Sequence, residues 1–322
     1  MSYVILSRYF SKKEIIYTIY KEGGISKAAQ RLYVSQPSLS ATVKKIEDEI
    51  GIPLFDRTVK PIRLTEAGEE YIKSVESIMV IENGFDSYID SVNNLQRGSV
   101  RIGSNQLLSS LVLPSYISSF ISDYPNIRLS LTDANSVTLA DGLMSGDLDL
   151  IIDNHRLDPD LFEMKHISTE HLLLAVPAKF DVPHFRGARL TAKDIIDGRH
   201  LAHDTASVTL DPFRDIPFIL MTKENDTREH TDKLFDSQRF SPKVILEIDR
   251  LVTLYAFIRL GTAASIVSDT LIRNTTDDSG GVVFYKIDDR HSVRNIYVSY
   301  RRTKYITKAM DLFIRGLNNC IF

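Results

Sequence analysis

The sequence predicts an α/β protein with a small, mainly helical N-terminal domain and a larger two-lobed α/β domain. Three observations carry this prediction. Two short helices joined by a tight turn lie within residues 25–47, a long amphipathic helix begins near residue 65, and strands alternate with helices from residue 99 onward. At 322 residues the chain is too long for one typical hydrophobic core, so two or three domains are expected.

Charge is distributed unevenly along the chain. Residues 1–65 contain eleven Lys and Arg against six Asp and Glu, a net charge of +5. The remainder contains 28 against 36, a net charge of −8, so the total is −3. This division favours a small basic domain that binds nucleic acid, attached to a larger acidic domain.

Composition argues against several classes of protein. No apolar run of membrane-spanning length is present, and the first ten residues lack a signal-peptide pattern, so we expect a cytoplasmic protein with no membrane partner. Cys320 is the only cysteine, so neither an internal disulfide nor a thiolate metal cluster can form within one chain. Catalytic motifs are absent, and the eight histidines form only weak pairs such as His200 and His203. We therefore predict neither an enzyme nor a metal or cofactor site.

The two short helices within residues 25–47 have the pattern of a helix-turn-helix. Ser26 can cap the first helix, and the alanine pair at residues 28–29 lets another helix approach closely. Ser35 can cap the second helix, and Pro37 falls in its first turn, where a missing N–H costs little. Apolar side chains at positions 39, 43 and 46 share one face. The other face offers hydroxyls, an amide and two lysines, which suits the major groove of DNA.

Five motifs make the resemblance to a known family specific. They are Ala-Ala at residue 28, Ser-Gln-Pro at 35, Ile-Glu at 46, Gly-x-x-Leu-Phe-x-Arg at 51 and Leu-Thr-x-x-Gly at 64. In this order and spacing they resemble the winged helix-turn-helix of LysR-type transcriptional regulators. The resemblance implies a homodimer or homotetramer that binds double-stranded promoter DNA, responds to a small-molecule effector and has RNA polymerase as a further partner.

A basic hairpin, or wing, is expected at residues 59–64, where it can reach phosphates or a minor groove. A solvated basic loop without a partner is the alternative. With the wing included, the residues that we predict to contact DNA are Ser26, Ser35, Gln36, Pro37, Ser38, Ser40, Thr42, Lys44, Lys45, Arg57, Lys60 and Arg63.

The long helix that follows has apolar residues at alternating spacings of four and three. This spacing predicts a coiled-coil seam between two chains, which would present two recognition helices to an inverted-repeat DNA site. The alternative is packing against the helix's own domain. The predicted dimerisation residues are Tyr71, Val75, Ile78, Phe85, Ile89 and Val92.

Domain boundaries follow from polar and glycine-containing segments. We predict a DNA-binding domain at residues 1–65, a linker helix at 66–96 and an effector domain at 97–322. The strand–helix order implies parallel sheets with right-handed crossovers. We place lobe I at about residues 97–167 and 268–322, and lobe II at about 168–267.

Two α/β lobes joined by crossing strands describe a periplasmic-binding-protein-like architecture. Pro-Asn-Ile at residue 125, Gly-Asp-Leu-Asp-Leu-Ile-Ile at 146 and the segment 254–261 resemble the effector domain of the same LysR family. The resemblance thus covers nearly the whole chain, and it implies a ligand between the lobes.

Ligands of such sheets bind at the carboxyl ends of strands, beside helix N-termini. Hydroxyl and amide groups there suit a small polar or anionic metabolite. Each of these side chains can instead serve only as a helix cap, and a second domain that binds no ligand is the alternative at the level of function. The predicted effector-binding residues are Ser104, Asn105, Gln106, Asn135, Ser136, Met221, Thr222 and Thr262.

Overall fold

Three helices form the N-terminal domain of the protein, seen here in a computed structural model that describes residues 10–59, 61–93, 98–180, 182–223, 225–275 and 281–320. Within these ranges the side chains at 83, 86–93, 183–184, 186 and 318–320 are not described. The helices are α1 (Lys13–Glu22), α2 (Ile25–Arg31) and α3 (Gln36–Ile50). Their apolar faces meet in one core. Ala28 and Ala29 are buried in it, and their small side chains allow the helices to pack closely.

A short hairpin and a long helix complete this part of the chain. Strands β1 (Phe55–Asp56) and β2 (Arg63–Leu64) pair antiparallel, as predicted for the wing. Helix α4 (Glu66–Asn93) follows. By internal contacts the chain divides into two units, Met1–Asp86 and Ser87–Phe322, so the division falls inside α4 and not at residue 65.

The beginning of α4 belongs to the core of the first unit. Tyr71 stacks on Phe10 with ring centroids 5.0 Å apart, and Val75 is fully buried. The prediction that Tyr71 and Val75 form a seam with a second chain is therefore wrong, because both are already covered by their own domain. Further along the helix, Ile81 and Phe85 are 71% and 61% exposed.

The second unit contains a mixed sheet, and its strand β6 (Phe162–Pro177) runs from one lobe into the other. The lobe I order is β4 (Ile127–Asp133), β3 (Gly98–Ser104), β5 (Leu150–Asp153), β12 (Val293–Arg301) and the first half of β6. The lobe I helices are α5 (Leu113–Asp123), α6 (Ser136–Ser145) and α11 (Lys308–Cys320). A short π-helical turn, Leu108–Val112, precedes α5.

Lobe II is built on the second half of β6. Its other strands are β7 (Ser207–Val208), β8 (Pro217–Met221), β9 (Lys243–Ile248), β10 (Ser265–Ser268) and β11 (Val282–Ile287). Its helices are α7 (Ala192–Ile196), α8 (Asp226–Ser237), α9 (Leu251–Arg259) and α10 (Asp269–Asn274).

The predicted return to lobe I at residue 268 is too early. Strand β11 pairs antiparallel with the lobe II half of β6, and only β12, from Val293, pairs with the lobe I half. Hydrogen bonding across the sheet decides this boundary, and a strand's partner is not visible in its own sequence. No helix in the described part of the chain is long and apolar enough to cross a membrane.

The Gly-Asp-Leu-Asp segment has a structural role in lobe I. Asp149 is buried, accepts a hydrogen bond from Arg101 Nη2 at 2.8 Å, and lies 2.6 Å from Lys304 Nζ. Burial alone would raise the pKa of Asp149, but its bonds to Arg101 and the charge of Lys304 hold that pKa below its ordinary value. This motif thus stabilises the packing of lobe I and does not line the cleft between the lobes.

Candidate functional site

Helix α3 presents a polar face to solvent because its apolar face is fixed in the core. Leu39, Val43 and Ile46 are buried. Ser35 caps the helix by accepting a hydrogen bond from the Ser38 backbone N–H at 3.3 Å, and Pro37 lies in the first turn. Of the predicted DNA contacts on this helix and its cap, those most open to solvent are Ser35, Gln36, Pro37, Ser38, Lys44 and Lys45.

The largely buried side chain of Glu47 holds the base of the wing. Glu47 accepts hydrogen bonds from the backbone N–H groups of Leu54 and Phe55 and from Arg57 Nη2, the last at 2.7 Å. Arg57 is therefore engaged within the domain while its side chain remains 43% exposed. Arg63 is exposed on β2, and Lys60 lies outside the described residues.

A cleft separates the two lobes of the second unit. Its volume is about 370 Å³, and it opens at the carboxyl ends of β3 and β4 on one side and of β8 and β9 on the other. The described residues that line it are Asn105, Gln106, Leu107, Asp133, Ala134, Asn135, Asn154, Thr222, Asn225, Asp226, Thr227, Asp249, Arg250, Leu251 and Arg294.

One hydroxyl links the lobes at the edge of this cleft. Ser136 Oγ on α6 lies 2.6 Å from an Asp153 oxygen and 2.5 Å from an Asp226 oxygen on α8. A hydroxyl has a single proton to donate, so Ser136 cannot donate to both carboxyls at once. Burial raises the pKa of Asp153, and the nearby Asp226 raises it further.

A buried ion pair adjoins the cleft, because one of its members, Arg294, is a lining residue. Arg294 Nε on β12 is 2.5 Å from Glu170 Oε2 on β6, and both side chains are at most 3% exposed. Glu170 also accepts hydrogen bonds from Ser268 Oγ and, at 2.9 Å, from Asn154 Nδ2, and Arg294 Nη1 donates to Thr227. These bonds join the crossing strand β6 to residues of both lobes.

Comparison with known proteins assigns the family. Residues 11–69 match the family model described as bacterial regulatory helix-turn-helix protein, lysR family. Residues 93–319, well over half of the chain, match the model described as LysR substrate binding domain. The chain belongs to the LysR family. It is a DNA-binding transcriptional regulator with a helix-turn-helix domain and a substrate-binding domain.

Curated relatives span most of this LysR-family chain. A protein named uncharacterized HTH-type transcriptional regulator YybE, from Bacillus subtilis, is 27% identical over 80% of this chain and 81% of its own length. A protein named probable RuBisCO transcriptional regulator, from Cyanidioschyzon merolae, is 29% identical over 95% of this chain and 96% of its own.

Solved structures share the fold. Full-length OxyR from Pseudomonas aeruginosa superposes with a TM-score of 0.66 at 20% identity, covering 95% of this chain and 93% of that one. Full-length CbnR complexed with its target DNA superposes with a TM-score of 0.59 at 19% identity, covering 96% and 99%. The expected winged helix-turn-helix and two-lobed α/β domain are thus confirmed.

The helix-turn-helix of this LysR-family protein departs from expectation at two residues. Helix α2 begins at Ile25 with Gly24 as its N-cap and no side-chain cap, so Ser26 is not the cap and lies exposed in the first turn. Tyr33, which sequence reasoning missed, is 95% exposed in the turn, with a left-handed φ of 55°. The sequence does offer a signal for Tyr33, because it is an aromatic residue in a turn, outside the apolar pattern of either helix.

The cleft contains half of the predicted effector residues. Asn105, Gln106, Asn135 and Thr222 line it. Asn135 also caps α6 through the Thr138 N–H at 2.9 Å, so lining and capping are not exclusive.

The other predicted effector residues lie elsewhere. Ser104 is buried and donates to the Ile152 carbonyl, Met221 is in the lobe II core, and Ser136 is buried against the two aspartates. Thr262 is exposed and precedes β10, and because β10 runs parallel to β8, Thr262 lies at the edge of the sheet opposite Thr222.

The histidines are grouped differently from the sequence-based expectation. His203 is exposed, whereas His200 is buried with its Nε2 3.0 Å from Asp269 Oδ2, and His171 approaches the same oxygen. Burial of Asp269 favours its neutral form, but the two histidines hold its pKa well below the ordinary value. The three residues are far apart in sequence, so no local spacing could have indicated this cluster.

Proposed function

We propose that this LysR-family protein binds inverted-repeat promoter DNA as a homodimer or homotetramer, and that a small ligand in the cleft changes its action on RNA polymerase. The exposed polar face of α3, capped by Ser35, is the observation that carries the DNA-binding part. Ligand control requires that the ligand bind two arrangements of the lobes with different affinity.

Gel-shift and footprinting assays on DNA flanking its own gene test this proposal. A protected inverted repeat is the expected result. No protection at moderate salt concentration would contradict the proposal.

Replacing Gln36 is expected to relax sequence preference, whereas replacing Lys44 is expected to weaken binding to all DNA. An amide at the exposed start of α3 can bond to base edges, and an ammonium group meets phosphates. Binding should be measured for Gln36→Ala and Lys44→Ala on specific and random duplexes over a range of salt. Lys44→Ala should reduce the salt slope by about 1. Equal losses on both duplexes for Gln36→Ala would refute its assignment as a base reader.

Phe85→Glu is expected to dissociate dimers. Phe85 is 61% exposed beyond the core of the first unit, and two facing glutamates would repel each other in a paired helix. Ile78 is half-buried, so Phe85→Glu is the cleaner variant; the side chains of Ile89 and Val92 are not described.

Sedimentation velocity measures this effect. The matched control is Leu260→Glu, at a 79% exposed leucine of the second unit, which should leave the sedimentation coefficient unchanged. An unchanged coefficient for Phe85→Glu would remove the pairing assignment.

The charge of the cleft narrows the ligand class. Among the described lining residues are three carboxyls, Asp133, Asp226 and Asp249, and two guanidinium groups, of which Arg294 is paired with Glu170. His230, on α8, is not one of these lining residues; burial and Arg294 lower its pKa to about 4, so it carries no charge near neutral pH. We propose a small polar ligand with at least one cationic group, such as an amino acid, over a simple carboxylate.

A thermal-shift screen of the full chain tests the ligand proposal. Amino acids, amines, simple carboxylates and sugars form the panel, and a ligand at a hundredfold excess over its Kd should stabilise the protein by about 2.7 kcal/mol. Asp249→Asn should weaken an ammonium ligand, whereas the exposed Asp204→Asn should not. Hits only among simple carboxylates would refute the cationic class, and no hits would favour a second domain that binds no ligand.

A further inference from the structure

A second cluster of polar side chains lies outside the cleft, where β6 passes between the lobes. His171 is the last β6 residue to pair with β12, and the next residue begins the pairing with β10. Asp269 is the first residue of α10, and His200 lies in a 3-10 turn, Arg199–Leu201. Three segments that are distant in sequence therefore meet at the crossing strand.

The side chains in this cluster converge on one carboxylate oxygen. Asp269 Oδ2 lies 3.0 Å from His200 Nε2 and 3.4 Å from His171 Nδ1. One nitrogen or oxygen atom from each residue lies within 4.8 Å of the others. His200 and Asp269 are 1% and 3% exposed, and the His171 side chain is 29% exposed, which leaves a path from solvent.

The cluster is not fully satisfied by its own hydrogen bonds. His171 Nδ1 is buried and faces the carboxylate oxygen at 3.4 Å, but among the described residues it makes no well-aligned hydrogen bond. A buried polar atom without a partner is costly, and most such atoms in folded proteins are bonded. A cation between the three residues would provide that partner.

Two of the three separations are compatible with those around a transition metal, and the third is at most 4.8 Å. Bonds of about 2.0–2.2 Å in a tetrahedral zinc site place neighbouring ligand atoms about 3.4 Å apart. The two N–O distances given above are close to this value, and two imidazoles with one carboxylate form a ligand set that zinc accepts, with water in the fourth position.

Arg273 is the group that opposes a cation here. Its Nη2 lies 3.7 Å from Asp269 Oδ2, and its side chain is 33% exposed. The guanidinium can turn toward solvent when a metal occupies the oxygen, so the two cations compete for Asp269. We propose that His171, His200 and Asp269 bind a divalent transition metal of the zinc class, which ties β6, α10 and the 3-10 turn together.

Cobalt titration of the chelator-treated full chain tests this site. Tetrahedral Co²⁺ absorbs strongly in the visible range. We expect its absorption bands to increase until one equivalent of Co²⁺ has been added and to disappear when Zn²⁺ is added. The melting midpoint should increase with either metal. His171→Ala is expected to weaken Co²⁺ binding by at least about tenfold, since it removes a direct ligand at a partly exposed position.

The matched control is His203→Ala, which removes an exposed histidine and should leave the titration unchanged. The melting curve of metal-free His171→Ala establishes that this variant is folded. The proposal is overturned if the wild-type chain gives no tetrahedral Co²⁺ bands, or if His203→Ala weakens binding as much as His171→Ala, which would indicate adventitious surface binding.

Discussion

Arg294→Met is expected to lower the free energy of unfolding of the two-lobed unit by about 3–5 kcal/mol, because it leaves a buried charge without its partner. Glu170 is 0% exposed in its side chain, and its remaining partners, Ser268 and Asn154, are neutral. Uncharged donors compensate a buried carboxylate less well than a guanidinium does. Calorimetry should show a fall in the midpoint of thermal unfolding of roughly 2–4 °C per kcal/mol.

The control is an exposed ion pair in the same unit. Arg315 bonds to Asp311 one helical turn away, with side chains 77% and 44% exposed, so Arg315→Met should cost only about 0.3–0.5 kcal/mol. The double variant Arg294→Met with Glu170→Met should be less destabilised than Arg294→Met alone, since no charge is then left buried. A double variant as unstable as the single one would show that packing, and not charge, determines the loss.

Gly68→Ala is expected to destabilise the DNA-binding unit by about 1–3 kcal/mol or more through overpacking. A Cβ atom at this position would lie 2.0 Å from the Leu54 carbonyl oxygen, which is backbone and cannot rotate away. That oxygen also accepts the Thr65 N–H at 3.0 Å, so moving it weakens the junction between the wing and α4. Urea unfolding followed by circular dichroism measures the loss.

Gly84 in the same helix is the matched control. A Cβ atom there meets nothing within 4 Å, so Gly84→Ala should stabilise the helix by about 0.5–1 kcal/mol. Opposite signs for the two substitutions would confirm that the close approach at residue 68 matters. Two stabilising substitutions would show that the Leu54 segment moves freely.

Local rules predicted those parts of the site that depend on local sequence. Ser35 caps α3 as expected, and Asn105 and Thr222, which follow strand ends, line the cleft. Thr262 was misplaced because it comes before its strand and not after it. Asp226 and Arg294 were missed because their roles depend on partners on other elements, which have no signature in the neighbouring sequence.

Periodicity located the long helix but could not identify what covers it. The same four-and-three spacing contains Val75, which is buried within its own domain, and Phe85, which is exposed. Glu82, which interrupts the spacing, pairs with Lys13 of α1 at 2.9 Å. An apolar stripe specifies that a face will be covered, and only the folded chain shows by which neighbour.

The Ser136 hydroxyl that joins Asp153 to Asp226 has a consequence for sensitivity to ligand. Any molecule that needs the lobes further apart must first break the bond between Ser136 and Asp226, so only the fraction of molecules already open is ready to bind. The apparent affinity is reduced by that fraction. Under the proposed ligand control, the concentration at which the protein responds therefore depends on this contact as well as on the ligand's own interactions. A change at either residue is then expected to move the response threshold without altering the ligand's contacts with the rest of the cleft.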